Sequence, residues 1–178
     1  MIENYINKIN YDLIKYFNYR YLESIPKIKI LVISFTYKRP TIKLILKSLL
    51  AIEIITGLRG NIVTTKKSNI SLNIRKGEPV GCKVILRKKE MLMFLSRLFL
   101  VRIYKFKSKS TRQKTVVQNI TCNARSLSFN YNALNLFHEL EQHYFIFKDL
   151  GSINFTLITN SKNFTEFNYL LKSLKYSN

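Results

Sequence analysis

At 178 residues, with 47% hydrophobic side chains, the chain has the length and the material for one ordinary domain with a real core. Thirty Lys and Arg against ten Asp and Glu leave a formal charge of +20, too much to be neutralised internally, so it must face solvent or a polyanion. Two cysteines, Cys82 and Cys122, exclude a disulfide framework. No run reaches the roughly 18 apolar residues of a membrane span, because Arg97 and Arg102 interrupt one candidate and Lys47 and Glu53 the next.

In chain order, Ile2, Ile6, Ile9, Leu13 and Phe17 recur at helical spacing and predict an amphipathic opening helix. Glu3 and Asp12 within it, and the scarcity of Arg and Ser, make it read as mature structure and not as a transit peptide. Ile25-Pro26 breaks the helix, and Lys27 to Phe35 is a strand, with Ile28, Ile30 and Val32 on one face. Pro40-Thr41 starts a second helix on the apolar set Ile45, Leu49, Ile52 and Ile55, with Lys43 and Lys47 off the stripe and Gly57 as its stop. Short strands are expected at Asn61 to Thr65 and Ile70 to Arg75, then a turn at Lys76-Gly77-Glu78-Pro79 and a strand from Cys82 to Arg87.

Glu90 to Val101 predicts a third helix, with Met91, Leu95, Leu98 and Phe99 inward and Arg97 and Arg102 outward. Tyr104 to Lys114, rich in Lys, Ser and Arg, reads as an exposed basic loop. Beyond it, Val116 to Phe129 has weak strand character and Phe137 to Phe147 is ambiguous. Ile153 to Thr159 alternates as a strand, and Phe164, Phe167, Leu170, Leu171 and Leu174 make a closing helix. The connections around Gly77 and Pro79 are too short for parallel crossovers. The fold class is therefore α+β, one domain over residues 1–178 with a largely antiparallel sheet and helices packed on one face.

The cations lie along the whole chain between apolar segments and are not gathered on one amphipathic helix, which favours nucleic acid over a membrane surface. The most informative stretch, about 64–83, sets two basic clusters around a Gly/Pro turn. Gly77 and Gly81 suit close backbone approach or positive φ, and the cations can reach successive phosphates. Candidate RNA-binding residues are Lys66, Lys67, Ser68, Arg75, Lys76, Gly77, Lys83 and Arg87. The loop about 104–114 adds Lys105, Lys107, Lys109 and Arg112, with Tyr104 and Phe106 as stacking candidates.

Catalytic alternatives lack their parts. His138 and His143 are five apart, where a zinc-protease helix needs four to point both at one metal. Gly57-Leu58-Arg59-Gly60 with Lys66-Lys67-Ser68 downstream lacks the Gly-Lys-Ser/Thr junction of a phosphate-binding loop. Neither cysteine has an activating neighbour, and Cys82 reads as a small core residue. No cofactor, metal or enzymatic activity is expected.

Lys67-Ser68, Ile74-Arg75-Lys76-Gly77, Pro79-Val80-Gly81-Cys82-Lys83-Val84 and Leu86-Arg87, continued by Met91, Phe94 and Arg97-Leu98, resemble the signature of the universal large-subunit ribosomal protein five family. Weaker similarity at Ile25-Pro26-Lys27, Ile54, Thr56, Gly57, Leu150-Gly151, Ile153 and Thr156 to Lys162 extends it over nearly the whole chain. The resemblance implies an antiparallel sheet with helices on one face and a structural role in the large subunit. It further implies contacts with large-subunit rRNA in the central protuberance, with P-site tRNA through the loop Lys66 to Val80, with a small-subunit head protein, and with other large-subunit proteins. Where bacterial relatives carry an Asn, a Gln and a Thr used toward 5S rRNA, this chain has Ser34, Leu58 and Ile85, and two of these can make no side-chain hydrogen bond. The family's 5S rRNA contact is therefore not expected in its usual form. Together with a composition heavy in Asn, Ile, Lys, Tyr and Phe, that points to a mitochondrial, organelle-encoded member in a ribosome whose 5S rRNA is divergent or absent, ahead of a plastid or an A+T-rich bacterium. The alternative is a free RNA-binding or RNA-processing protein outside the ribosome.

Overall fold

Helix α1 (Ile2–Tyr16) forms on the predicted stripe, burying Ile9 and Leu13. The computed structural model describes residues 2–38, 40–108, 118–123, 125–132 and 137–175. After a single 3-10 turn at Leu22–Ser24, β1 (Ile28–Thr36) leads into α2 (Ile42–Thr56). The α2 ends are set locally: the Thr41 hydroxyl accepts from the Leu44 N–H at 3.3 Å, and Gly57 takes φ +70° beyond the last turn. Then follow β2 (Asn61–Thr64), β3 (Pro79–Arg87), α3 (Lys88–Ser108), β4 (Gln118–Cys122), β5 (Ser126–Asn132), the short helices α4 (His138–Gln142) and α5 (Tyr144–Phe147), β6 (Ser152–Thr159) and α6 (Phe164–Lys175).

Among the described residues the strands make one six-stranded sheet in the order β2-β3-β1-β6-β5-β4, and every neighbouring pair is antiparallel. This is the expected α+β class. Alternation along the strands sends Leu31, Ile33 and Phe35 of β1, Cys82, Val84 and Leu86 of β3, and Ile153, Phe155 and Leu157 of β6 into one core beneath α2 to α5. Phe155 is its hub, with ring centres 5.3 Å from Phe129, 6.2 Å from Phe94 and 6.5 Å from Phe137. Each large apolar side chain buried there contributes about 1.5–3 kcal/mol of transfer free energy. A smaller cluster of Ile9, Leu13, Ile25 and Leu170 joins α1 to α6 where β1 begins. Among the described residues no helix lies over the centre of the opposite sheet face, and Lys83, Ile85 and Arg87 of β3 are exposed on it.

Four expectations need correction. Ile28 does not share a face with Ile30 and Val32: the register slips between Ile28 and Ile30, so Ile28 pairs with Thr159 and packs on the core while Ile30 pairs with Ile158 on the open face. Ile70 to Arg75 is no strand but a 3-10 turn (Ile70–Leu72) closed by a single bridge between Asn69 and Ile74. Asn73 at φ +53°, on its C-terminal side, is incompatible with an extended run. Arg97 does not face outward: half-buried, it donates to the Ile55 carbonyl at 3.1 Å and pairs with Glu139, tying α3 to α2 and α4. Tyr104 to Ser108 belongs to α3 and not to a loop, because Lys is a good helix former and no Gly or Pro intervenes to stop the helix. The remainder of that predicted loop, with Lys109 and Arg112, lies outside the described residues. In the closing helix Phe167 and Leu170 are buried, whereas Phe164 is exposed.

Candidate nucleic-acid interface

The segment between β2 and β3 projects as a braced hairpin. Thr65 is its anchor: its N–H donates to the Glu78 carbonyl at 3.0 Å, its carbonyl accepts from the Gly77 N–H at 3.0 Å, and its hydroxyl donates to the Arg75 carbonyl at 2.6 Å. Gly77 sits at φ +89°, a region costly for other residues, so here the glycine serves the turn. Glu78 turns back to accept from the Arg75 N–H at 2.9 Å. Farther out, Asn69 exchanges backbone bonds of 2.9 and 3.0 Å with Ile74, and its side chain accepts from the Ser71 N–H at 3.1 Å. Ile74 is buried inside the loop.

These bonds hold the two basic clusters side by side at the hairpin's base. Lys66, Lys67, Ser68, Arg75 and Lys76 are all exposed. Glu78 is half-buried and committed to the backbone, so this loop presents positive charge with its shape fixed beforehand, which lowers the ordering cost of binding. Replacing Thr65 by valine removes the bond to Arg75 and is expected to cost about 1 kcal/mol. Faster amide exchange at Gly77 and Glu78 in the variant is the measurement that checks it.

Lys83 and Arg87 belong to a different surface. Strand register places Lys83 beside Ser34 and Asn61, Ser34 beside Asn154, and Asn154 beside Asn130, a polar row across the open face. Asn154 Nδ2 donates to Thr36 Oγ1 at 3.2 Å, while its Oδ1 has no partner among the described residues. Arg87 lies beside Ile30, and Ile85 beside Val32, in the neighbouring rows. Lys105 and Lys107 fall on the last turns of α3, away from the hairpin in sequence and on a helix. The described candidate residues therefore divide among a hairpin, an open sheet face and a helix end. Sequence reasoning missed the bracing by Thr65 and Glu78, although Glu78 three residues after Arg75 is a local capping pattern.

The remaining polar groups are structural in their surroundings. Cys82 is fully buried, its Sγ 3.1 Å from Ser48 Oγ, and burial pushes its thiol pKa up. Iodoacetamide at mildly alkaline pH is expected to leave Cys82 unmodified in the folded protein and to label it in urea, read by peptide mass. Burial likewise pushes Tyr37 up to about 12. His138 and His143 are exposed, with His138 Nδ1 3.5 Å from Glu141 Oε2. Among the described residues no three His, Cys, Asp or Glu side chains gather as a metal site, and no helix is long and apolar enough to cross a membrane.

A closed apolar core, a braced cationic hairpin and an open sheet carrying further cations define the class: a basic α+β scaffold protein. No family model matches the chain. It is, however, 30% identical over 175 residues to large ribosomal subunit protein uL5m of Reclinomonas americana, covering 97% of this chain and 94% of that one. It is 29% identical over 177 residues to uL5 of Blochmanniella floridana, 97% and 88% covered, and 28% identical over 179 residues to uL5 of Malacoplasma penetrans, 98% and 91% covered. The chain belongs to the uL5 family, the universal large-subunit ribosomal protein five, as a structural and non-enzymatic component of the ribosome.

Proposed function

We infer that this chain, acting as one domain, holds rRNA in the central protuberance of a mitochondrial large subunit, touching P-site tRNA with its hairpin and a small-subunit head protein across the subunit interface. The observation that carries the reading is the hairpin itself, whose four exposed cations are set on a backbone braced by Thr65, Asn69 and Glu78. Phosphates are the chemistry that matches a fixed array of Lys and Arg heads. Lys83 and Arg87 add cations on the open sheet face for the rRNA, and Lys105, Lys107, Lys109 and Arg112 are further candidates for phosphate contact.

The reading weighs against the usual 5S rRNA contact. Leu58 packs on the core and Ile85 sits on the open face, so neither position can supply a side-chain hydrogen bond to a base or phosphate. Ser34 keeps one hydroxyl in the polar row. A mitochondrial site is supported by the uL5m relative and by the composition.

The test is a sucrose gradient of organelle lysate, with and without ribonuclease, with sequencing of the co-migrating RNA. Co-migration with the large subunit, release by ribonuclease and absence of ordinary 5S rRNA are expected. Stoichiometric ordinary 5S rRNA would overturn the lost contact, and migration as a free, RNA-less protein would favour an RNA-processing role outside the ribosome.

A further inference from the structure

Helix α2 is apolar on both sides. Its inner side fills the core with Ile45, Ala51, Ile52 and Ile55, yet its outer side carries Ile42, Leu46, Leu50 and Ile54, which are 75%, 59%, 46% and 37% exposed. Their spacing of four residues builds one continuous ridge along the helix, the element by which helices interlock with helices. The short helix α5 also packs against α2 and leaves Phe145 88% exposed, and Lys47 of α2 pairs at 2.7 Å with Asp149, two residues past the end of α5. All four ridge side chains remain exposed, most fully at the N-terminal end of the helix. Single exposed apolar side chains are ordinary, but an ordered ridge of four marks an interface.

We propose that this ridge docks an amphipathic α-helix of an acidic protein in the same ribosomal subunit, a reading that rests on the chain's place in that particle. Four aliphatic side chains offer RNA no hydrogen bond and would strip water from phosphates for nothing in return, so nucleic acid is the wrong occupant. A second copy is disfavoured because each carries +20. The charges around the ridge are Lys38 before α2, Lys43 on it and Arg59 after it, against Glu53, all four exposed, while Lys47 and Asp149 offset each other in their ion pair. That rim selects a partner whose apolar face is bordered by Asp and Glu.

The experiment incorporates photo-leucine into the native chain and irradiates purified large subunits, mapping cross-links by peptide mass. Links from Leu46 and Leu50 to one Asp- and Glu-bordered helical segment of another subunit protein are expected, with Leu31 in the core giving links within the chain as the control. Particles carrying Leu46→Asp with Leu50→Asp should retain that protein at least tenfold less, at unchanged rRNA content. Links from Leu46 and Leu50 only within the chain, to a second copy or to rRNA, or no links while Leu31 reports, would overturn the proposal. A chain missing from the particle would sink the ribosomal placement along with it, and the gradient described above reads that separately.

Discussion

Replacing Gly81 by alanine is expected to destabilise the protein by on the order of 3 kcal/mol, a large part of the roughly 5–15 kcal/mol that holds a domain of this size folded. Gly81 lies on β3 between Thr36 of β1 and Val63 of β2, in the middle of the sheet and not at a turn. A Cβ built there overlaps the Phe35 carbonyl oxygen and comes within 3.0 Å of the Phe35 carbonyl carbon and 3.2 Å of the Thr36 Cα. Backbone cannot swing aside as a flexible side chain does, so β1 and β3 must part along a stretch that also buries Phe35 and Cys82. Gly151→Ala is the control, since a Cβ there meets nothing within 4 Å and the cost should stay within about 0.5 kcal/mol. Urea unfolding of both variants decides it, and a Gly81→Ala midpoint equal to the parent's would disprove the close approach.

The second large effect concerns binding. Changing Lys66, Lys67, Arg75 and Lys76 together to alanine should leave folding intact, because all four are exposed and none carries the bonds that brace the hairpin with its side chain. If each holds one phosphate, the variant's log affinity for RNA should depend less steeply on log salt, by about three to four units of slope. Over a fourfold rise in salt, the parent should then lose roughly a hundredfold more affinity than the variant. Filter binding to large-subunit rRNA fragments and to tRNA at several salt concentrations measures this. Equal slopes would remove the hairpin from the interface.

Much of the fold was legible because apolar residues recur at the period of the element they build. The α1 and α2 stripes, the stop at Gly57 and the alternation in β6 reflect one buried face each. What escaped depends on partners distant in sequence. The slip after Ile28 is set by β6, and the inward turn of Arg97 by Glu139 and the Ile55 carbonyl, none of which a local pattern contains. At the candidate site, the identity and exposure of the hairpin cations were readable. That they stand on one braced base while Lys83 and Arg87 stand on another surface required the register of β3. The outer ridge of α2 was hidden for a related reason, since a helix apolar on two sides shows no clear polar face to orient it.

The strand order carries a consequence for how the chain is made. β1 lies at the middle of the sheet, and its two neighbours are β3 and β6, with Leu31 set against Leu86 on one side and Leu157 on the other. During synthesis β3 can lie beside β1 early, but the far edge of β1 stays open until Ser152 to Thr159 appear, more than a hundred residues after it. Such long-range pairing is slow and leaves an apolar strand edge exposed in the interim. The ribosome that builds this chain must therefore release it as far as Thr159 before its central strand has both neighbours.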